Sequence, residues 1–298
     1  MRRISFLVIC FCLLLWVPVA SGAVNLRDVV TFGDSLTDND LLRFYSDSPQ
    51  NMYGRDPMHA VFHKASRSGS ELRKYAVAGS ESDDLEVQVD TYETGVLLGI
   101  QDKATLFSIE IGGNDIRNNI GRLSIYPPGA RSSVDRVVSS IISNIRSSWR
   151  VLRASHPHAR FVIWTLPDIT LTPSQWGKLS EVEAANVRAH IQRANKYIRS
   201  LSSNPSVVVL DLYKIMRQLI ADPPIYFGYQ LIPPPSYGDY DSLFADRIHP
   251  TAVSNAIIAN KIIYLMNTKW KDSIPSYTER QLAKLARIPT VKTATASE

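Results

Sequence analysis

Five short runs of β-branched and aromatic residues, alternating with stretches of helical periodicity, constrain this chain more than any other feature. Residues 29–32, 72–77, 104–111, 160–166 and 207–210 each have the make-up of a buried strand. Between and after them, apolar residues return every three or four positions. That spacing predicts helices over 57–65, over 85–92 with a break at Gly95, and over 132–154, 181–201 and 212–220, with a last helix through Val253 and Leu265. Strict alternation of strand and helix requires crossover connections, so the chain is expected to fold as a three-layer, doubly wound α/β domain. Its sheet should be mainly parallel and five-stranded, with helices on both faces.

In such sheets chemistry gathers at the carboxyl ends of the strands, and three of the five runs end in glycine and polar groups. The first runs into Gly33-Asp34-Ser35-Leu36-Thr37-Asp38, the second into Ala78-Gly79-Ser80, and the third into Gly112-Gly113-Asn114-Asp115. Ser35 offers a hydroxyl, a weak nucleophile until a base removes its proton. Gly79 lets a backbone N–H approach a ligand closely, and the Asn114 amide has two donors suited to a developing oxyanion. Before the last helix stands Asp246-Arg247-Ile248-His249-Pro250-Thr251. There a carboxylate three residues upstream reaches Nδ1–H and leaves Nε2 of His249 free as a base. Together these are the parts of acyl transfer: Ser35 as nucleophile, His249 as base, Asp246 as orienting acid, and Ser35, Gly79 and Asn114 as oxyanion donors. Asp34 is expected to shape the turn instead of serving as the third member of the triad.

Composition narrows the alternatives. Met1-Arg2-Arg3, an apolar run over 4–19 and Ser21-Gly22-Ala23 have the pattern of a secretory signal peptide cleaved after Ala23. The organisation expected is a leader over 1–23, one hydrolase domain over 24–270 and a polar, flexible tail over 271–298. The product is expected to be secreted, soluble and monomeric, with no stable membrane span after cleavage. Both cysteines, Cys10 and Cys12, lie in the leader, which removes a cysteine nucleophile, a thiolate metal site and a disulfide scaffold. The net charge of +5 is peripheral. Arg2 and Arg3 belong to the leader, and six cations face three acids from Asn267 onward, which leaves the body neutral. A neutral body excludes nucleic acid as an expected partner.

Several features are read conservatively. Asp38 could cap a short helix through Leu41 and Leu42. Asp38-Asn39-Asp40 lacks the spacing of a calcium loop, there is no dinucleotide glycine fingerprint, and no cofactor or metal is expected. His156-Pro157-His158 is read as a solvated connector. The segment 225–242, with Tyr226, Phe227, Tyr229, Tyr237 and Tyr240, is a surface loop whose rings line a sugar or acyl site or simply cover the domain.

Taken together, Phe32-Gly33-Asp34-Ser35-Leu36, Tyr75-Ala76-Val77-Ala78-Gly79, Ile111-Gly112-Gly113-Asn114-Asp115 and Asp246-Arg247-Ile248-His249-Pro250-Thr251 resemble, in order, the blocks of the GDSL family of SGNH hydrolases. The segment 165–173 and the later Asp222-Pro223 resemble its secreted fungal and bacterial branch. His59 and the cysteine-free loop before the last block depart from that branch. The resemblance implies a flavodoxin-like fold and a serine esterase acting on carboxylic esters through an acyl-enzyme. The catalytic roles go to Ser35, Asp246 and His249, and the oxyanion roles to Ser35, Gly79 and Asn114. Short acyl or acetyl-carbohydrate esters are the favoured substrates and lipid esters are compatible. The alternative is a catalytically inactive carbohydrate- or lipid-binding protein on the same fold.

Overall fold

The structure, a computed structural model, describes residues 26–38, 52–66 and 68–289. The leader, Asn39, Asp40, the short helix expected after Asp38 and the last residues of the tail lie outside this range.

Five strands form one parallel sheet: β1 (Asp28–Gly33), β2 (Glu71–Lys74), β3 (Leu106–Glu110), β4 (Arg160–Trp164) and β5 (Val207–Leu210), in the order β2-β1-β3-β4-β5. This is the flavodoxin-like order, in which the chain leaves β1 toward β2 on one side and returns to β3 on the other. Side chains alternate along each strand. Val30, Phe32, Phe107, Ile109 and Phe161 face one core, and Val29, Leu106, Val162 and Trp164 face the other.

The first core is covered by α2 (Asp84–Leu97), α5 (Ser132–Ser155) and α6 (Glu181–Ser200), which are joined there by the short α3 (Gly113–Asn118) and α4 (Ile120–Ile125). Phe32, Phe107 and Phe161 stack across three neighbouring strands, with ring centroids 6.0 and 5.4 Å apart. The second core is covered by α1 (Pro57–Ala65), α7 (Leu212–Ala221) and α8 (Ala252–Trp270), through Met58, Val61, Ile215 and Ile262. Among the described residues no helix is long and apolar enough to cross a membrane.

The structure departs from the sequence reading in four places. Helix α2 continues through Gly95 to Leu97. A Cβ at Gly95 would come within 2.5 Å of the Gln101 amide, so this glycine admits a side chain against the helix and does not end it. His156 is buried, not solvated. Its Nε2 lies 2.9 Å from Glu93 and its ring packs on Tyr92 and Phe107.

The segment after Trp270 packs on the body instead of forming a loose tail. Asp272 pairs with Arg160 at 3.0 Å, Ile274 enters the second core, and a capping box of Thr278 and Gln281 starts α9 (Glu279–Leu285). Leu282, Ala283, Ala286 and Ile288 then bury against Leu243, Phe244 and Val253. A helix this short spans too few turns for apolar periodicity to register in the sequence. The loop 225–242 contains a small hairpin, β6 (Ile225–Tyr226) with β7 (Tyr229–Gln230). Tyr226 packs into the same C-terminal cluster, and Tyr240 lies under the Arg287 guanidinium.

Candidate active site

Gly33 is the last residue of β1 and pairs in register with Glu110 at the end of β3. A Cβ on Gly33 would fall 1.9 Å from the Glu110 carbonyl oxygen, so only glycine lets the two strand ends come this close. The turn that follows is held from two sides. The buried Gln88 amide on α2 accepts from Gly33 N–H at 2.8 Å and donates to Gly33 C=O at 2.9 Å. The Asp34 carboxylate accepts from Leu36 N–H at 3.0 Å, and its carbonyl accepts from Thr37 and Asp38. Asp34 therefore shapes the turn, as the sequence suggests, and Ser35 emerges from a backbone fixed on both flanks.

The loop before α8 delivers the partner groups. His249 Nε2 lies 2.8 Å from Ser35 Oγ, and Nδ1 lies 2.7 Å from Asp246 Oδ2. The other oxygen, Oδ1, accepts from the backbone N–H groups of Ile248 and His249, both at 2.7 Å. Burial pushes the Asp246 carboxyl up. The hydrogen bonds from the His249 ring and from these two amides outweigh that push and hold it below the usual carboxylate range. With Asp246 anionic, the Nδ1–H tautomer is favoured and Nε2 points its lone pair at the Ser35 hydroxyl.

A residue the sequence does not single out completes this cluster. The Tyr53 hydroxyl donates to Asp246 Oδ2 at 3.1 Å, and its ring meets His249 edge-on with centroids 6.2 Å apart. Its segment is tied to α8, where Asn255 donates to Tyr53 C=O at 2.9 Å and Ala252 N–H to Met52 C=O at 2.7 Å. No local pattern marks Tyr53, because its partner lies 193 positions away.

The expected oxyanion donors converge on the same strand ends. The Ser35 and Gly79 N–H groups make no hydrogen bond among the described residues, and Gly79 sits at a φ of +89°. Its loop is joined to β1 by Val77 N–H donating to Gly33 C=O at 3.1 Å. Asn114, at the start of α3, donates from Nδ2 to Ser80 C=O at 2.9 Å and less closely to Asp34 Oδ2 at 3.3 Å. The first bond links Asn114 to the Gly79 loop, and the second ties it to the turn that carries Ser35.

Beneath the turn lies a pair of acids whose contact the sequence does not reveal. Asp34 and Glu110 are both buried and hydrogen-bonded to one another, with Thr37 Oγ1 3.5 Å from Glu110 Oε2. Burial, followed by the neighbouring Asp34 charge, pushes the Glu110 carboxyl well above its ordinary value. Burial raises Asp34 as well, against the Leu36 amide that favours its anion. Asp34 has that amide and the Asn114 donor, and Glu110 is the member pushed further up.

Ser35, Asn114 and His249 open onto a cavity of about 110 Å³. Its walls are mainly apolar and include Leu212, Ile215, Leu219, Phe244 and Ile248. None of the rings of Tyr226, Phe227, Tyr229, Tyr237 and Tyr240 lines it.

Comparison with known proteins fits this geometry. Residues 29–262 match the family model of the GDSL-like Lipase/Acylhydrolase. The search of curated proteins gave no match. Among solved structures, the chain is similar to the lipase Lip_vut3 from a goat rumen metagenome, with 16% identity and a TM-score of 0.54, covering 80% of this chain and 96% of that one. It is also similar to an extracellular lipase from Streptomyces rimosus, with 17% identity, a TM-score of 0.48 and coverage of 82% and 99%. The acetyl xylan esterase AlAXEase is similar at 16% identity and a TM-score of 0.47, with 80% and 98% covered. The first of these likenesses supports the fold. The family match runs from the strand that presents Ser35 to the helix that follows His249, and with it the chain belongs to the GDSL-like Lipase/Acylhydrolase family and is an ester hydrolase.

Proposed function

We propose that the protein is a secreted, monomeric serine esterase that cleaves carboxylic esters through an acyl-enzyme on Ser35. The observation that carries this reading is the continuous relay from Asp246 through His249 to Ser35, at 2.7 and 2.8 Å. In the first half-reaction Ser35 Oγ bonds to the ester carbonyl carbon while His249 Nε2 takes its proton. The oxyanion is received by the Ser35 and Gly79 N–H groups and by the Asn114 proton now turned toward Asp34. Each such donor typically contributes about 3 kcal/mol to the transition state. Collapse breaks the bond to the alcohol, which leaves with the proton from His249. Water then repeats the sequence in reverse, with His249 as base, and releases the acid.

The cavity supports acyl chains longer than acetyl. Its walls of Leu212, Ile215, Leu219, Phe244 and Ile248 suit a hydrocarbon chain better than a lone acetyl group. The loop aromatics, which from sequence favour acetylated sugars or short acyl groups, lie away from this cavity and lend that preference no support. The reading is tested by hydrolysis of p-nitrophenyl esters from acetate to laurate, with Ser35→Ala beside the wild type. Rates are expected to peak at a medium chain and to fall by about 10⁴-fold or more in the variant. Equal, slow rates in both proteins would instead indicate an inactive binding protein.

A further inference from the structure

Among the described residues, Arg117 is the one charged group on the cavity lining that the relay and its supports do not use. It lies in α3, three residues after Asn114, so the two side chains leave the helix on the same side. It is half-buried and lines the cavity with Ser35 and Asn114. Its charge is close enough to pull the Asp34 carboxyl downward. Among the described residues, Asp34 and His249 are the only other ionisable ones on that lining, and both are engaged.

Elsewhere in the protein, half-buried arginines hold carboxylates: Arg160 pairs with Asp272 and Arg199 with Asp211. Even the more exposed Arg217 pairs, with the fully buried Asp168. Arg117 makes no ion pair or hydrogen bond among the described residues. The acids flanking it are occupied, Asp115 with Ser82 and Glu81 with Asn118. A guanidinium fork beside a reactive centre, partly desolvated and unpaired, is suited to a bidentate oxyanion such as phosphate.

The position also indicates which half of the ester it meets. The acyl half has the apolar walls, where an anion would lose its hydration with nothing in return. The alcohol half remains. We propose that Arg117 is a subsite for an oxyanion on the alcohol half of the ester, so that the preferred substrates are amphiphilic esters joining an apolar acyl chain to a phosphorylated alcohol. This rests on the esterase reading above and adds a substrate class to it.

The test compares two probes that differ in that group alone, 1-octanoylglycerol 3-phosphate and 1-octanoylglycerol, below their aggregation limits. The quantity read is the ratio of their kcat/KM values. The wild type is expected to favour the phosphate ester, and Arg117→Gln to lower the ratio about tenfold, with Arg117→Lys in between. Raising the salt from about 50 to about 500 mM should lower the wild-type ratio too, because screening weakens an ion pair. This arm needs no variant to fold. A ratio that Arg117→Gln or salt leaves unmoved overturns the proposal, including the case in which both rates fall together. Absence of Ser35-dependent hydrolysis of either probe overturns the esterase reading itself, and the subsite with it.

Discussion

Asp246 and Glu110 are carboxyl groups at one active site, yet the fold shifts them in opposite directions. Asp246 is partly open and surrounded by donors: two backbone amides, the His249 ring and the Tyr53 hydroxyl. The His249 ring and the two amides hold it below the ordinary range although burial opposes them. Glu110 is fully enclosed at the end of β3 beside another acid, and burial holds it well above. The balance of donors against desolvation decides whether an acid works as a charge or as a hydrogen-bond donor. Here Asp246 holds the His249 ring, and Glu110 packs against the turn that carries Ser35.

The largest effect that could break this contrast is expected at Asp246. Asp246→Asn keeps the shape but inverts the tautomer His249 must adopt, and kcat should fall by about 10⁴-fold. A loss under tenfold would mean that the carboxylate's charge is not used.

At Glu110 the expectation differs, because the group is pushed well above its ordinary value. Glu110→Gln retains a donor toward Asp34 and should leave the midpoint of denaturation close to wild type. Glu110→Ala strands the buried Asp34 charge and should cost about 3 kcal/mol in denaturant unfolding. Equal losses in the two variants would show that Glu110 acts as an anion.

Asp115 extends the comparison into pH. Its carboxyl is pushed up to about 6, by burial first, from an ordinary 3.8. The folded state thus binds the proton more tightly than the unfolded chain does. The stability from this group is complete below pH 3.8 and is lost as pH rises toward 6. Unfolding free energies measured from pH 4 to 7 should show a downward contribution in the wild type that Asp115→Asn removes. A difference between the two proteins that stays flat with pH would contradict it.

The smallest effect is expected at Tyr53. Removing its hydroxyl in Tyr53→Phe takes one 3.1 Å donor from Asp246 and leaves three. kcat should fall about threefold with KM unchanged, because the carboxylate that orients His249 is held less firmly. An unchanged kcat would assign Tyr53 to packing alone.

How much of this was legible in the sequence follows from the range of each interaction. Ser35, Gly79 and Asn114 stand at strand ends where glycine and polar residues interrupt an apolar run, and Asp246 lies three residues from His249. Those are local patterns, and the structure brings Asp246, His249 and Ser35 into hydrogen-bond contact. The parallel sheet was legible for the same reason, since each strand is a run of consecutive residues. Tyr53 and Gln88 were not, because each acts on a residue that is distant in the chain, across a gap closed only by packing. His156 reads as solvated beside a proline, but Glu93 and two rings from other elements bury it. The segment after Trp270 shows its few apolar residues singly, and only contact with α8 and the loop before it makes them a core.

The central claim is that Ser35 becomes a covalent nucleophile when the relay is intact. Intact-mass measurement after exposure to a fluorophosphonate tests it most directly. A single adduct is expected in the wild type, mapped to Ser35 by peptide mass. It should be absent in Ser35→Ala and formed far more slowly in His249→Ala. A wild-type protein that stays unlabelled, or an adduct that persists in Ser35→Ala, would contradict the account.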